Sequence, residues 1–377
     1  MTAPAAPDRG GPPASVWRQV RARVVRHDDY GAGHRWLDLE MPGGFGRPVP
    51  GQFVQLLLDA PSPVLLARPM SVAAVTARGG RLVVGFLYAP VGAGTRALAA
   101  LARGATVEAL GPLGRGYPLA EPGTPVLLAG GRGVAPLLFA ADALARSGRK
   151  SVFVFGARTR SLLVGVEEAR VRLKKIGGAL HLATDDGSRG ARGTVLDVLE
   201  RIAPKLAAPL VLHACGPHGM LAAVAAWAVA RGARAHLAME SVMACGTGVC
   251  RGCPLPRSAA ARAAHDPLAP SLYGNHEYAM CCTEGPVFEA RDLDWERIEG
   301  PPHRATGAAA ARAPPRTRRR GRGAAGPPPA STCRSGSGRS RSPTRSSPPP
   351  ARSATATSTR TWWTCARWAA SSPRPSR

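Results

Sequence analysis

Residues 245–253 read CGTGVCRGC, and Cys282 follows this run after 28 further residues. The order C-x4-C-x2-C with one distant cysteine is the plant-type spacing of a [2Fe–2S] cluster, in which four thiolates hold two irons. The small residues inside the run let backbone N–H groups approach the cluster sulfurs. The pattern therefore predicts an iron–sulfur site and an electron carrier.

Zinc and disulfides are the alternatives for these cysteines. Structural zinc sites usually have two C-x2-C pairs, and this chain has one, at Cys250 and Cys253. Disulfides are disfavoured because residues 1–15, MTAPAAPDRGGPPAS, contain no apolar stretch of a secretion signal. The chain contains no run of about 18 apolar residues, so no membrane span is predicted. We expect a cytoplasmic protein with reduced thiols.

Upstream of the cysteines, the pattern changes to alternating strands and helices. The apolar run at 126–129 leads into a glycine-rich turn and then an Ala/Leu-rich helical stretch that ends near Ser147. Further apolar strands are expected at 151–155, 181–184 and 209–214. This alternation predicts a parallel α/β sheet.

Two turns of this region are candidate phosphate sites. Gly130–Gly133 joins a strand to a helix, where backbone N–H groups can meet a pyrophosphate. Cys215-Gly216-Pro217 follows the last strand, at the edge where open sheets bind ligands. The alternatives are a structural glycine turn and a buried apolar thiol. His218 is expected to begin a helix, and no catalytic acid–base residue is predicted.

The first part of the chain, from residue 16 to about 115, predicts a β-barrel. Short alternating apolar runs at 20–25, 53–58 and 81–87 are separated by glycine and proline. Arg68-Pro69-Met70-Ser71 places a cation and a hydroxyl at a rigid turn, which suits an anionic pyrophosphate. Gly92–Thr95, before a helical stretch at 96–101, could add N–H donors. Taken singly, each segment could equally be an ordinary turn.

Nine segments in this order resemble one family, the electron-transfer subunits of NAD-dependent, two-subunit dihydroorotate dehydrogenase, within the ferredoxin-reductase superfamily. The resemblance covers about 16–300. The segments are RPMS (68–71), LYA (87–89), GAGT (92–95), GPLGRGY (111–117), AGGRGVAPL (129–137), TDDGSRG (184–190), CGP (215–217), ESVMACGTGVCRGC (240–253) and CCTEGPVF (281–288).

This resemblance implies a multidomain β plus α/β architecture with three cofactor regions. The implied parts are an FAD-binding antiparallel β-barrel at 16–118, a NAD-binding parallel α/β domain at 119–237, a small [2Fe–2S] domain at 238–300 and a low-complexity tail at 301–377. The implied FAD residues are Arg68, Pro69, Met70, Ser71, Leu87, Tyr88, Ala89, Gly94 and Thr95. The implied NAD residues are Gly130, Gly131, Gly133, Cys215, Gly216 and Pro217. The implied cluster ligands are Cys245, Cys250, Cys253 and Cys282.

Cys282 is chosen as the fourth ligand because the family pattern places the last ligand just before x-x-Gly-Pro-Val-Phe. The sequence by itself leaves open whether Cys281 or Cys282 is the ligand. Arg132 and Arg115 depart from the family, which usually has an aliphatic residue and often an asparagine there. Both add positive charge near the expected cofactors.

The resemblance implies a function in pyrimidine (UMP) biosynthesis. Electrons from the FMN of a dihydroorotate-oxidising partner subunit would pass through the cluster and FAD to NAD⁺, in a heterotetramer of two subunits of each kind. Neither a nucleic-acid nor a membrane partner is expected. One rival is a sister subunit of a hydrogenase-like or ferredoxin-linked NAD(P) oxidoreductase. Another is a nucleic-acid-binding protein that uses a basic tail.

Most of the net charge of +26 lies in the C-terminal tail, residues 301–377. Residues 301–377 hold 16 arginines and neither lysine nor acidic residues, so the first 300 residues carry only +10. Residues 305–377 contain no Val, Ile, Leu, Met, Phe or Tyr and cannot build a core. A disordered basic tail and a nucleic-acid tether are two interpretations.

Out-of-frame translation of GC-rich DNA fits the tail better. The codons of Trp362–Trp363, Trp363–Thr364 and Trp368–Ala369 force Val, Asp and Gly in the shifted frame. Across 331–376 that frame permits a sequence that resembles the start of the dihydroorotate dehydrogenase catalytic subunit. The hypothesis is a frameshifted continuation into the adjacent gene, which DNA sequencing would test.

Overall fold

The computed structural model describes residues 17–59, 64–264 and 277–298. These residues belong to one compact unit that spans Met1–Ala308. The tail and its predicted frameshift origin lie outside the described residues.

Seven antiparallel strands form the first sheet. They are β1 (Arg18–Gly31), β2 (His34–Met41), β3 (Phe53–Leu57), β4 (Arg68–Ser71), β5 (Ala74–Arg78), β6 (Arg81–Tyr88) and β7 (Thr106–Leu113), with helix α1 (Ala93–Ala99) between the last two. Their order is β4-β3-β7-β1-β2-β6-β5. Val72 and Ala73 connect the two end strands, β4 and β5, along the chain. Val72 N donates to Gln52 O (3.1 Å), and Ala73 N donates to Gly85 O (2.8 Å). These two hydrogen bonds bring the ends of the sheet towards each other, so the sheet forms a half-barrel.

The alternation along β2 explains how this half-barrel meets the rest of the protein. Leu37, Leu39 and Met41 are buried in the barrel's own core. Trp36 is also buried, but it packs into a second core together with side chains of the α/β region, such as Leu138. Neighbouring residues of one strand therefore pack against different layers.

The α/β region contains six further strands, and four of them overlap the strands predicted from the sequence. The elements are β8 (Thr124–Gly130), α2 (Val134–Arg146), β9 (Val152–Ala157), α3 (Val166–Lys174), β10 (Ala179–Thr184), β11 (Ala191–Arg192), α4 (Val195–Ile202), β12 (Leu210–Cys215), α5 (His218–Ala230) and β13 (Arg234–Ala238). The cysteine segment adds β14 (Pro254–Pro256), α6 (Ala259–Ala263), β15 (Tyr278–Met280) and β16 (Val287–Glu289).

The strand order of this second sheet is β11-β10-β9-β8-β12-β13-β16. Strands from β11 to β13 are parallel, as predicted, whereas β16 pairs antiparallel with β13. Val126, Leu127 and Leu128 on β8 are all fully buried, because a parallel strand in the middle of such a sheet is covered on both faces.

The cysteine segment leaves the α/β sheet after β13 and returns to it as β16. Between these strands, β14 and β15 form a small antiparallel pair of their own. The predicted small domain is thus attached to the α/β sheet at both of its ends. Of the helices in the described ranges, none combines the length and the apolar run needed to cross a membrane.

Candidate functional site

β8 and β12 are neighbouring parallel strands from which the chain departs in opposite directions. The strand after β8 lies on one side, and the strand after β12 lies on the other. Diverging connections leave a crevice outside the carboxyl ends of such strands, and open α/β sheets bind ligands there. Gly130 ends β8 and Cys215 ends β12. The structure therefore brings the two predicted dinucleotide segments to this crevice.

The two segments touch through their backbones. A Cβ atom on Gly133 would lie 2.1 Å from the carbonyl oxygen of Cys215, and one on Gly130 would lie 2.6 Å from the sulfur of Met220. A Cβ on Gly216 would likewise lie 2.7 Å from Met220 Cε. At Gly133 only glycine permits this approach, since real Cβ atoms essentially never come within 3.0 Å of backbone atoms; at Gly130 and Gly216 the flexible Met220 side chain would have to move.

Gly131 has a different role in the same turn. Its φ is +51°, a left-handed conformation that glycine adopts without strain, and no atom lies within 4 Å of a Cβ built there. Arg132 follows it and is exposed. Burial and then the Arg132 charge lower the pKa of His34, the first residue of β2, so this arginine lies near the start of that strand. Arg115, the other departure from the family, pairs through its backbone with Pro286.

Cys215 is held in its neutral form. Burial raises the pKa of its thiol to about 12, and the Glu240 carboxylate acts in the same direction. Beside it, the Tyr117 hydroxyl donates to the carbonyl of Ala214 (3.0 Å), and burial raises the pKa of this phenol well above its usual 10. The crevice thus has an uncharged thiol and phenol at its base. Pro217 precedes α5, which begins at His218 as expected.

On the half-barrel, Arg68 and Gly94 are in contact. A Cβ on Gly94 would lie 3.0 Å from Arg68 Cδ, so the arginine stem packs against helix α1 at this glycine. The Arg68 guanidinium donates from Nε to Ala67 O (3.0 Å) and from Nη2 to Leu66 O (3.2 Å). Along β4, Met70 is buried, whereas Pro69 and Ser71 are exposed.

The three residues predicted to bind FAD at the end of β6 have different surroundings. Leu87 packs into the core shared with the α/β region, and Ala89 is half-buried. Tyr88 lies in the barrel core, where its hydroxyl is 2.8 Å from His27 Nε2. The other ring nitrogen of His27 is 2.7 Å from Leu101 O. Burial raises the pKa of Tyr88, and the charge of Arg35 opposes this.

Helix α1 begins earlier than the sequence suggests. The predicted helical stretch was 96–101, but α1 spans Ala93–Ala99, so Gly94 and Thr95 are in its first turn. Gly92 N donates to Thr95 Oγ1 (2.9 Å), and the Thr95 hydroxyl donates to Gly92 O (3.1 Å). The Gly92 N–H, one of the donors that this segment could offer to a phosphate, is therefore used in local capping.

Three backbone N–H groups point at cysteine sulfurs in the 245–253 run. Thr247 N and Cys250 N each donate to Cys245 Sγ at 3.4 Å, and Gly252 N donates to Cys250 Sγ at 3.4 Å. Burial opposes ionisation of Cys245, but these donors outweigh it and lower the pKa of the thiol to about 6. The run therefore favours a thiolate at Cys245, the form in which cysteine binds metal.

Cys281 and Cys282 are both buried but face different groups. The Cys281 thiol donates to Met239 O (3.8 Å), and burial raises its pKa. Cys282 instead interacts with Cys253: their shared hydrogen bond lowers the pKa of Cys253 to about 7 and raises that of Cys282. Within the described ranges, no three His, Cys, Asp or Glu side chains converge as the ligands of a metal ion would. The donor set itself, thiols with N–H donors on two of their sulfurs, suits an iron–sulfur cluster.

The cysteine run also packs directly on the half-barrel. Gly246 has φ +75°, and a Cβ there would lie 2.8 Å from Gln55 Cγ and 3.0 Å from Leu113 Cδ1. Gln55 is buried and donates to Met243 O at 3.4 Å. The run thus contacts β3 and β7.

The family model of the oxidoreductase NAD-binding domain matches residues 127–226. The dihydroorotate dehydrogenase B (NAD(+)) electron transfer subunit of Bacillus caldolyticus is 37% identical over 247 residues, 65% of this chain and 86% of that protein. That of Shouchella clausii is 36% identical over 279 residues, 73% and 98% of the two chains. The chain belongs to the family of dihydroorotate dehydrogenase B (NAD(+)) electron transfer subunits.

The solved NADH-dependent reduced ferredoxin-NADP oxidoreductase, described for flavin-based electron bifurcation, has the same fold. Its TM-score is 0.61 at 25% identity, over 73% of this chain and 90% of that one. The predicted ferredoxin-reductase-like fold is confirmed as an antiparallel sheet followed by an α/β domain, and the predicted β-barrel is a half-barrel.

Sequence reasoning missed residues that support the crevice of this electron transfer subunit. Tyr117, Met220 and Glu240 contact or influence Cys215 and its neighbours, yet none was predicted as a site residue. Tyr117 and Glu240 belong to quoted family segments, at 111–117 and 240–253, so a signal existed. Met220 had none, because its contact with Gly130 depends on how two distant turns meet.

Proposed function

We propose that this electron transfer subunit links a dihydroorotate-oxidising partner subunit to NAD⁺ in pyrimidine biosynthesis. The observation that carries the proposal is the backbone contact of Gly133 with Cys215 at the switch point between β8 and β12. That contact leaves a crevice beside glycine N–H groups, which suits the pyrophosphate of a dinucleotide. The family membership supplies the reaction.

FAD is assigned to the half-barrel and to its border with the α/β region. Arg68 and Ser71 supply a cation and a hydroxyl on β4 for the pyrophosphate, and Gly94 lets α1 approach Arg68. Pro69, Met70, Leu87, Tyr88, Ala89 and Thr95 complete the proposed set. Bound FAD would supply exchange of one or two electrons.

The [2Fe–2S] cluster is assigned to Cys245, Cys250, Cys253 and Cys282. The N–H donors to the Cys245 and Cys250 sulfurs support this assignment, since such donors stabilise thiolates. Cys282 is preferred to Cys281 because it interacts with Cys253, whereas Cys281 donates to Met239 O. A bound cluster would supply one-electron transfer.

The partner subunit is proposed to dock on the cysteine run. Val249 in this run is 79% exposed, and Val242, three residues before the run, is 67% exposed; Cys250 is exposed as well. Exposed apolar side chains beside a redox centre suit a partner that must approach that centre closely. A heterotetramer of two subunits of each kind, in the cytoplasm, is the assembly expected from the family resemblance.

Orotate-dependent oxidation of NADH tests the function. The chain is co-expressed with the catalytic subunit of its complex, and Cys250→Ser is the control. We expect activity that requires both subunits and is lost in the variant. NADH oxidation by artificial acceptors, with none by orotate, would instead support a sister oxidoreductase with another partner.

A further inference from the structure

A buried glutamine on β3 faces the cysteine run. Val54 and Leu56 on this strand pack into the barrel core, and Gln55 lies between them with its side chain on the opposite face of the sheet. There it contacts Gly246, and only 1% of the residue is exposed. A glutamine so deeply buried is uncommon, because its amide loses the hydrogen bonds that it makes with water.

The amide of Gln55 contacts the chain on both sides of Cys245. Its nitrogen donates to Met243 O (3.4 Å), two residues before this cysteine. A Cβ atom on Gly246, the residue after the cysteine, would lie 3.0 Å from the same nitrogen and 2.8 Å from Gln55 Cγ. Since Met243 O can only accept a hydrogen bond, the nitrogen, the positive end of the amide dipole, faces this part of the chain.

The other end of the amide is not satisfied. Within the described part of the chain, Gln55 Oε1 is a buried acceptor without a hydrogen-bond partner. Such an acceptor lowers the stability of a protein, whereas an apolar side chain of similar shape avoids this loss. Packing alone would therefore favour methionine or leucine at position 55. The advantage of an amide is then expected in its effect on the neighbouring cysteines.

Gln55 is also close to the segment assigned to FAD. In the register of β3 and β4 it pairs with Pro69, and Leu56 pairs with Arg68. Pro69 and Arg68 both belong to the proposed FAD set. β3 therefore connects the FAD segment, through the side chain of Gln55, with the chain around the first proposed cluster ligand, Cys245.

We infer that Gln55 is a positioning residue for the proposed cluster, whose amide holds the chain around Cys245 and raises the reduction potential of the cluster. Reduction adds one electron, and so one negative charge, while no bond to Gln55 forms or breaks. The amide N–H groups stabilise this added charge, because hydrogen bonds near the sulfurs and the polarity of the surroundings set the potential of such a cluster. The inference rests on the proposed function and deepens it, since it names a residue that controls the passage of electrons.

A redox titration of the full-length holoprotein, followed by EPR of the reduced cluster, tests this role. Gln55→Met keeps the buried volume and removes the amide. It should make reduction of the cluster about tenfold less favourable, which is about 59 mV for a one-electron couple. Leu113→Met is the matched control, because Leu113 Cδ1 would also lie 3.0 Å from a Cβ on Gly246 but carries no dipole. Its potential should equal that of the wild type.

Pulsed EPR gives a second measurement that a merely structural role would not affect. The chain has three glutamines, Gln19, Gln52 and Gln55. Protein synthesised in vitro with glutamine that carries ¹⁵N only in the side-chain amide therefore has three labelled side chains. In the reduced wild type, the unpaired electron should couple to ¹⁵N. The coupling should disappear in Gln55→Met and persist in Leu113→Met.

The outcomes separate this inference from the proposed function. A [2Fe–2S] signal without ¹⁵N coupling in the wild type, or an unchanged potential in Gln55→Met, makes the inference wrong while the proposed function stands. An equal shift of potential in Leu113→Met also overturns it, since shape and not the amide would then be the cause. If Gln55→Met does not retain the cluster, Gln55→Asn replaces it; its amide is one methylene farther from Gly246, so the potential should shift in the same direction. If the wild type shows no [2Fe–2S] signal at all, the proposed cluster is wrong and both proposals fall.

Discussion

Gly133 and Cys215 approach each other so closely that a Cβ atom on the glycine would lie 2.1 Å from the cysteine carbonyl oxygen. They end up in contact because β8 and β12 are adjacent parallel strands whose following turns share one edge of the sheet. Any side chain at position 133 would therefore push the two turns apart and change the width of the proposed dinucleotide crevice.

Gly133→Ala should separate the two turns and weaken dinucleotide binding by about tenfold or more, since backbone atoms cannot yield as a flexible side chain does. Gly131→Ala is the matched control. At φ +51° with open space around it, alanine there adds only about 1–2 kcal/mol of backbone strain. Titration with NADH and thermal unfolding measure both effects. Equal losses of affinity in the two variants would contradict the contact-based explanation.

Cys282→Ser and Cys281→Ser differ by one position and should behave differently. Cys282→Ser should lose most of the iron and the visible absorption of the purified protein, because Cys282 faces Cys253. Cys281→Ser should retain both, since that thiol donates to Met239 O. Iron content per chain is the measurement, and loss of iron in Cys281→Ser alone would reverse the proposed ligand choice.

Val242→Asp should weaken binding of the catalytic subunit while the iron content stays unchanged. A charge placed in an apolar interface must lose its water on association, which costs about 1–3 kcal/mol or more, so the affinity should fall at least about 5- to 150-fold. Val171→Asp is the control, because Val171 is 58% exposed on α3, outside the cysteine segment. Size-exclusion chromatography of mixed subunits distinguishes them, and equal complex formation by both variants would exclude this docking surface.

Acid should destabilise the fold partly through His213. Burial, and then the charges of His236 and Arg149, lower the pKa of this ring well below 6.5. Below pH 6.5 the unfolded chain takes up a proton that the folded protein does not, so the free energy of unfolding falls as the pH falls. The slope approaches about 1.4 kcal/mol per pH unit for one such group.

His213→Leu should flatten the pH dependence of stability between pH 6.5 and about pH 5. His34 and His181, whose pKa values burial also lowers, would keep part of the slope. Denaturant unfolding at several pH values measures this. An unchanged slope in His213→Leu would mean that the ring is protonated in the folded protein.

Much of the fold follows from local pattern, and the exceptions have a common cause. β8, α2 and β12 are long apolar segments bounded by glycine, so their periodicity identified them. β16 has only three residues and pairs with β13, so no local pattern marks it. The early start of α1 depends on one threonine hydroxyl at Thr95 that caps the turn.

The site was predictable to a similar degree. Gly130, Gly133 and Cys215 could be proposed because strand-to-helix turns have a sequence signature and a known position in α/β sheets. The contact of Gly246 with Gln55 and Leu113 could not, since it joins parts of the chain that meet only in the folded protein. The same holds for the hydrogen bond that Arg160 N donates to Ser188 Oγ.

The pairing of Ala238 with Val287 has a consequence for how the metal is acquired. The 48 residues between them include all four proposed ligands, and closing a loop of that length costs on the order of 3–4 kcal/mol of chain entropy. Hydrogen bonds of the α/β sheet hold the ends of this loop together, so iron need not do so. We therefore expect a folded apoprotein that accepts its cluster after synthesis. A cluster destroyed by oxygen could then be replaced without the protein having to unfold.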